Sequence, residues 1–373
     1  MKIVFFHNDK IGVHHNELMD IPSSGTVLAM LNLSKGLTLI GNEVIILSNA
    51  ETAVIDRIKY IKANEEESIT WCRDNEYDVF ISVGHAHTIL DSIVLFNKGK
   101  IYHWHHNYLK IESVSFLLKR KKISGIICVS PHHMSSLYKY GFDSKYNYVR
   151  NSLDFELLEK IKISDNSRSG ICYVGNVSVE KGFYEVINAY YDYYINGGRE
   201  PLHIYGSTNL YEQNKSEVKT DDFPDFIIRK INELKKNNTI IFHGKKPRKV
   251  IYEELQKRKL LLCGLNKYGA AESAGMGMIE AQYFGCDVLT YNRGGQRDSV
   301  ENKNSVIRIR SNVSYEIERS LKNYSPRIMS MTFRERYDME KIALEWIKIF
   351  NKKHSFNKHI NAISDRMHGV FFK

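Results

Sequence analysis

The chain has 373 residues, of which 43% are hydrophobic and 26% charged, a globular profile with enough apolar material for two domains of ordinary size. That excludes a disordered or fibrous chain, and no apolar run approaches the roughly 18 residues needed to span a bilayer. A net charge of +10 fits a polyanionic partner (nucleic acid, anionic lipid or a phosphate-bearing substrate) or simply a solvated, lysine-rich surface.

The opening residues, Lys2-Ile-Val-Phe-Phe6, read as a core strand and not as a signal peptide. After it, Ile21-Pro-Ser23-Ser24-Gly25-Thr26 leads into a helical pattern at Thr26–Ile40, with apolar positions at Val27, Leu28, Leu31, Leu37 and Leu39. Further strands are expected at Glu43–Leu47, Val79–Val83, Lys100–Trp104 and Gly125–Val129. The pattern ends near Arg150-Asn-Ser-Leu-Asp154, and a polar stretch, Ser164–Gly170, follows. A second series begins with strands at Ile171–Val174, Leu202–Tyr205, Thr239–Phe242, Lys259–Cys263 and Asp287–Leu289. Helices at Tyr184–Tyr194, Phe226–Lys236, Val250–Arg258 and Met276–Phe284 come between them. Two successive βα series predict two doubly wound, Rossmann-like α/β domains, residues 1–150 and 151–335. Residues 336–373 are expected to form a helical tail packing back towards the first domain.

The five cysteines, Cys72, Cys128, Cys172, Cys263 and Cys286, are scattered, odd in number and mostly set in apolar runs. They read as reduced, buried thiols of a cytoplasmic protein. Histidines crowd the first half: His85 and His87 after one strand, then His103, His105 and His106 after the next. No carboxylate or cysteine stands beside them at ligand spacing, so no metal site is assigned. The run Lys119-Arg-Lys-Lys122 follows the apolar Phe116-Leu-Leu118 and could hold the protein at an anionic membrane surface. No basic-aromatic nucleic-acid module is recognisable, and nucleic acid is not expected as a partner.

Ligands of doubly wound sheets bind beyond the carboxyl ends of the strands. One segment in such a place stands out: Tyr268-Gly-Ala-Ala-Glu272-Ser-Ala-Gly275-Met276-Gly277-Met-Ile-Glu280-Ala-Gln-Tyr-Phe-Gly285. On a single helix the two glutamates would be turned by roughly 80° and separated by about 12 Å. With Glu272 in the loop and Glu280 inside the following helix, the pair could instead grip opposite ends of an elongated ligand. Gly275, Met276 and Gly277 would then lie at a helix N-terminus, where free N–H groups favour a phosphate. Spacing alone leaves open a plainer reading, two surface glutamates and packing glycines.

The segment resembles the donor-binding signature of the retaining family-4 glycosyltransferases, which have the GT-B fold of two Rossmann-like domains facing across a cleft. Their pattern, Glu-Ser/Pro-Phe-Gly-Leu-x-x-x-Glu-Ala followed by a helix-ending Gly, is met in register by Glu272, Ser273, Gly275, Met276, Glu280, Ala281 and Gly285. Ala274 replaces the aromatic residue. Gly294-Gly-Gln-Arg-Asp-Ser-Val300 stands where that family has a Gly-Gly loop, and Tyr173-Val-Gly175-Asn176-Val-Ser-Val-Glu-Lys181-Gly182 resembles its Gly-Arg-x-x-x-x-Lys-Gly. Leu202-His-Ile-Tyr-Gly206 and Ile241-Phe-His-Gly244-Lys245 resemble its glycine loops around the nucleotide, and Val149-Arg-Asn-Ser-Leu-Asp154 its hinge.

The resemblance implies a nucleoside diphosphate sugar donor (UDP- or GDP-sugar), no cofactor and no metal. By it, Glu272 would position the donor sugar, Glu280 would bind the ribose hydroxyls, Lys181 would contact the diphosphate and His106 would orient the sugar. Gly25, in the small-residue loop of the first domain, could approach the donor phosphate or the acceptor; helix capping by Ser24 explains that loop equally well. Asn176 stands in the place of the family's arginine, offering a neutral amide where a charge-assisted bond is worth about 1.5–3 kcal/mol against about 1 for a neutral one. Lys245 and Arg293 are the basic residues that could compensate. The implied reaction is retaining transfer to a glycan or lipid-linked hydroxyl in cell-surface polysaccharide assembly, such as lipopolysaccharide, at the inner face of the cytoplasmic membrane. The alternatives are a non-catalytic nucleotide-sugar binder of the same fold and a sugar-nucleotide epimerase.

Overall fold

The computed structural model describes residues 1–8, 12–85, 87–161, 167–208, 223–268, 271–351 and 356–371. The chain divides into two compact units, one of residues 1–155 with 331–368 and the other of 156–330.

The first unit is built on eight strands: β1 (Lys2–Phe6), β2 (Glu43–Ser48), β3 (Ala53–Ile55), β4 (Ile58–Lys62), β5 (Val79–Val83), β6 (Lys100–Trp104), β7 (Ile123–Cys128) and β8 (Tyr146–Tyr148). They lie in the order β3-β4-β2-β1-β5-β6-β7-β8, and every pair is parallel except β3–β4. Central strands such as Val79-Phe-Ile-Ser-Val83 are buried along their whole length, as expected of a parallel sheet covered on both faces. β3 and β4 carry no sequence signal for a hairpin, because the turn between them is made by Asp56 and Arg57, both at positive φ, in place of Asn-Gly. β8 has three residues, too few for a periodicity to register.

The helix Gly25–Leu39 starts where Ser24 accepts a hydrogen bond from Val27 N–H, and its length is largely buried. Against it packs the helix Met339–Phe350. The approach is close at Gly36, where a Cβ would lie 2.6 Å from the backbone oxygen of Met339. Trp346 meets Trp104 edge to face with ring centres 5.2 Å apart, so residues 331–368 contribute directly to this unit's core. The segment expected to be a hinge is fixed here as well. Leu153 N–H donates to Tyr337 O (2.8 Å), Asn32 Nδ2 to Ser152 O (2.9 Å) and Lys35 Nζ to the buried Asp154 (2.6 Å).

The second unit has six strands, β9 (Ile171–Val174), β10 (Leu202–Tyr205), β11 (Ile240–Gly244), β12 (Leu260–Leu262), β13 (Asp287–Tyr291) and β14 (Val306–Ile307). All are parallel, in the order β11-β10-β9-β12-β13-β14. Helices Phe183–Ile195 and Asp225–Lys236 bury apolar faces against this sheet around Phe183, Ile187, Ile227 and Ile231. Each sheet thus reverses its winding once, between β1 and β5 in the first unit and between β9 and β12 in the second. Those are the points where doubly wound sheets open a crevice for ligands. Among the described residues no helix is long and apolar enough to cross a membrane.

A methyl group at position 36 would force two packed helices apart. Gly36→Ala is therefore expected to destabilise the protein by about 1–3 kcal/mol, read as a lower urea midpoint; an unchanged midpoint would show that this contact relaxes freely.

Candidate functional site

In the second unit three strands end side by side in glycine. Gly175 N–H donates to Tyr205 O (3.0 Å), and Gly206 N–H donates to Gly244 O (2.9 Å). A Cβ on Gly206 would fall 1.8 Å from Gly175 O, so the backbones of the β9 and β10 loops can meet only because that residue has no side chain. Asn176 follows on the β9 loop. Its backbone oxygen accepts the Tyr173 hydroxyl at 2.5 Å, while its side-chain oxygen is buried with no hydrogen bond among the described residues.

Past this loop a short 3-10 turn, Val179–Lys181, presents Lys181, whose Nζ lies 2.5 Å from Glu272 Oε1. The lysine is 48% exposed and the glutamate 23%. Glu272 lies in the loop before the helix Met276–Tyr283 and is anchored by its own backbone oxygen, which accepts Gly295 N–H at 2.7 Å. The Gly294–Gly295 loop and the two glutamates' segment are therefore one assembly. Cys263, at the end of β12, lies close enough to register both charges. Burial pushes its thiol up to about 12; Glu272 adds to the shift and Lys181 opposes it.

Gly275 caps the helix Met276–Tyr283, and its oxygen accepts the first intrahelical bonds, from Met278 and Ile279. The N–H groups of Met276 and Gly277 precede that ladder, as at any helix start. Gly275 N–H is different, being taken by Ser299 Oγ at 3.0 Å. Gly277 faces open space, where a Cβ would meet nothing within 4 Å. Glu280 stands in the second turn and is 3% exposed. Its Oε1 accepts from Arg248 Nη1 (2.8 Å) and from the Tyr252 hydroxyl (2.7 Å). Neither Arg248 nor Tyr252 is marked by the motif; only their spacing of one helical turn could have drawn attention to them.

Of the basic residues named as substitutes for the missing arginine, Arg293 donates to the backbone and side-chain oxygens of Asn266 (3.0 and 3.4 Å), and Asn266 Nδ2 in turn donates to Glu180 O. Arg293 thus braces the Lys181 turn through Asn266. Lys245 has its ammonium pKa lowered by burial.

In the first unit, Gly25 is the first residue of its helix, with nothing within 4 Å of a Cβ, and Ser24 caps that helix. The histidines gather at the ends of β5 and β6, and the sequence missed what joins them. Cys128, from neighbouring β7, puts its sulfur 3.1 Å from His105 Nε2, correcting the expectation that no cysteine stands near. His133, on the helix Pro131–Ser135, completes a buried trio whose potential ligand atoms lie within 4.8 Å of one another. Every ring nitrogen of the two histidines has a protein partner. His105 Nδ1 (3.1 Å) and His133 Nε2 (3.2 Å) both face Asn107 O, Val129 N–H donates to His133 Nδ1, and the Cys128 thiol faces His105 Nε2. The bonds are satisfied with both rings neutral, each N–H donating to Asn107 O. The trio pins the turn just after His106, and no metal is assigned to it.

His106 itself is buried beside Trp104, with ring centres 4.6 Å apart. Burial, then the neighbouring His7 and His105, lowers its pKa to about 3. It is a neutral imidazole over the whole physiological range.

Residues 154–324 match the model of a family described as glycosyl transferases group 1. No curated protein sequence matches the chain. Among solved structures, a sucrose-phosphate synthase from Thermosynechococcus elongatus superposes with a TM-score of 0.69 at 14% identity, over 94% of this chain and 98% of that one. AviGT4, a glycosyltransferase involved in avilamycin A biosynthesis, gives 0.68 at 16%, over 94% and 97%. HepE of Anabaena, solved in complex with UDP and glucose, gives 0.67 at 13%, over 94% and 99%. At such identities the likeness shows the fold: two parallel-sheet α/β domains of the GT-B type. The second of them carries the glycosyl transferases group 1 match.

The buried histidines give a pH dependence of known sign. Burial lowers His105 from 6.5 to about 4, partly offset by its bond to Asn107. The unfolded chain takes up this proton below pH 6.5, and the folded one only near 4. Stability is therefore whole above pH 6.5 and falls as pH drops towards 4, by about 3 kcal/mol for this group. Urea midpoints should decline steadily from pH 6.5 to 5, where few carboxylates titrate; a flat profile there would mean that the ring is not held neutral.

Proposed function

We propose that the protein is a retaining glycosyltransferase that moves a sugar from a nucleoside diphosphate sugar, UDP- or GDP-linked, to a hydroxyl of a glycan or lipid-linked acceptor in cell-surface polysaccharide assembly. The observation that carries this reading is the assembly around Glu272 and Glu280. A cation, a carboxylate, a helix start and a second carboxylate follow one another beyond the carboxyl ends of β9 and β12.

On this reading residues 151–335 bind the donor, residues 1–150 take the acceptor and residues 336–373 form the tail. Gly175, Gly206 and Gly244 let backbone close around the nucleotide, with Asn176 and Lys245 beside them. Glu280 accepts from the ribose hydroxyls. Met276 and Gly277 N–H, with Lys181, stabilise the charge that grows on the leaving diphosphate, so a divalent metal is not needed. Lys181 exchanges Glu272 for phosphate when the donor enters, and the released carboxylate takes the sugar hydroxyls. His106, neutral, orients the sugar by hydrogen bonding and not by charge. A phosphate oxygen of the leaving group removes the acceptor proton on the same face, so the configuration is retained.

The alternative, a non-catalytic nucleotide-sugar binder, is favoured by Asn176, which has no charge to place against the leaving group.

Thermal melts with UDP, GDP, ADP, CMP and TDP, each with magnesium and with EDTA, test the donor class. One nucleotide at 100 times its dissociation constant should stabilise the protein by about 2.7 kcal/mol, equally in EDTA, and lose its effect in Glu280→Ala. No shift with any of them would overturn the reading. Release of sugar from the matching nucleotide sugar, with the product anomer read by NMR, separates enzyme from binder; an inverted anomer would refute retention.

The protein is also proposed to work at the inner face of the cytoplasmic membrane. The helix Ile111–Lys119 carries the exposed Ile111 and ends in Lys119; beyond it Arg120 lies over Phe116 and is bound to Asp91 (2.7 Å), with Lys121 and Lys122 next. Each basic residue near an anionic surface contributes about 1 kcal/mol. Co-sedimentation with phosphatidylglycerol vesicles should fall at least tenfold when Lys119, Lys121 and Lys122 are changed to Gln; equal sedimentation of both proteins would remove the membrane role.

A further inference from the structure

The carboxylate of Glu280 is held by a device that the donor motif does not contain. Arg248 opens the helix Arg248–Lys257, directly after Pro247, and Tyr252 follows one turn later on the same face. Arg248 Nη1 (2.8 Å) and the Tyr252 hydroxyl (2.7 Å) donate to the same atom, Glu280 Oε1, and stand 3.5 Å from each other. The arginine side chain is 15% exposed and the glutamate side chain 4%. Burial works against the arginine's charge, but Glu280 and Tyr252 outweigh it and its pKa is raised. Burial, then Glu280, pushes the tyrosine's pKa up as well, so it remains a donor.

A carboxylate has about four acceptor positions on two oxygens. Among the described residues both bonds to Glu280 end on Oε1. Two donors on one oxygen fix the plane of the group, and Oε2 keeps its capacity to accept. A buried carboxylate is costly without a cation beside it, and Arg248 is that partner.

We propose that Arg248 and Tyr252 are positioning residues that hold Glu280 in one rotamer, with Oε2 turned to the donor's ribose, and so set the preference of the site for ribonucleotides over 2′-deoxyribonucleotides. This rests on the assignment of Glu280 to the ribose. It adds that the strength of that contact is controlled from the helix Arg248–Lys257, by residues that do not touch the donor. A ribose hydroxyl donating to a rigid carboxylate forms a charge-assisted bond. Deleting that hydroxyl should weaken binding by about 10- to 100-fold. If the carboxylate can swing, or Oε1 is freed to compete for the ribose, the discrimination shrinks.

Calorimetric titration of the full chain with UDP and GDP, and with their 2′-deoxy forms, tests this on the wild type, Glu280→Gln, Tyr252→Phe, Arg248→Gln and Arg248→Lys. The wild-type ratio of ribo to deoxy affinity should fall at least threefold in Tyr252→Phe and close to one in Arg248→Gln and Glu280→Gln. Arg248→Lys, which keeps the charge, should recover part of it. Should Arg248→Gln fail to fold, Tyr252→Phe decides, since it removes one hydroxyl from the core. A ratio lost in Glu280→Gln but intact in Tyr252→Phe and in any folded Arg248 variant overturns the positioning role and leaves the ribose assignment standing. A ratio intact in Glu280→Gln, or no binding of either nucleotide by the wild type, overturns the ribose assignment itself.

Discussion

Parallel strands end together, and in the second unit the consequence is felt at one edge. The loops after β9 and β10 leave the sheet side by side, and Gly175 and Gly206 meet there with no room for a side chain on the latter. The Lys181 turn lies over the end of β12, with Gly182 packed against Leu265 and Asn266, and Glu272 arrives there from the other side of the winding reversal. The Lys181–Glu272 pair sits at that reversal. Cys263, the one cysteine of the five that is only partly buried and not fully buried as expected, registers it: its thiol's ionisation responds to Glu272 and Lys181 in opposite senses.

The first unit answers the same topological demand with a different chemistry. At the end of β6, beside the reversal between β1 and β5, it gathers His103, His105 and His106, imidazoles kept neutral by burial. His105 and His133 give their N–H groups to one backbone oxygen, that of Asn107, and the Cys128 thiol faces the remaining nitrogen of His105. A protonated ring would break this set, having no carboxylate within the trio to receive its second N–H. Neutrality is thus a condition of the packing, and it extends to His106, whose surroundings are Trp104 and other histidines.

Much of the architecture could be read from the residues, because fully buried parallel strands and their crossover helices leave long apolar runs at regular intervals. Ten of the strands reveal themselves that way. The others do not, for local reasons: β3 and β4 turn on Asp56 and Arg57, which give no glycine signal, and β8 and β14 are too short to show a period. The candidate site was legible where glycine and charge are spaced along one segment, as from Glu272 to Glu280. It was not legible where partners come from another element. Cys128 lies 23 residues from His105, and Arg248 lies 32 from Glu280. Only the sheet order and the helix packing bring them together.

The charges of this edge also bear on how the proposed site could receive phosphate without the arginine expected at position 176. Both carboxylates of the motif have a cation beside them, but the two pairs are unlike. Arg248 is sealed in with Glu280, and what it does is decided inside the protein. Lys181 is half exposed, and its bond to Glu272 competes with solvent, so an exposed pair of this kind is worth little, about 0–1 kcal/mol. A phosphate with two negative charges can therefore take Lys181 from Glu272 at small cost, and the carboxylate set free stands beside the same ligand. On the proposed reading the pair is a latch that the donor would release. An arginine at 176 would have offered a second fixed cation at that edge. With asparagine there, Lys181 and Lys245 are the lysines of the motif loops that could meet a diphosphate on the proposed reading.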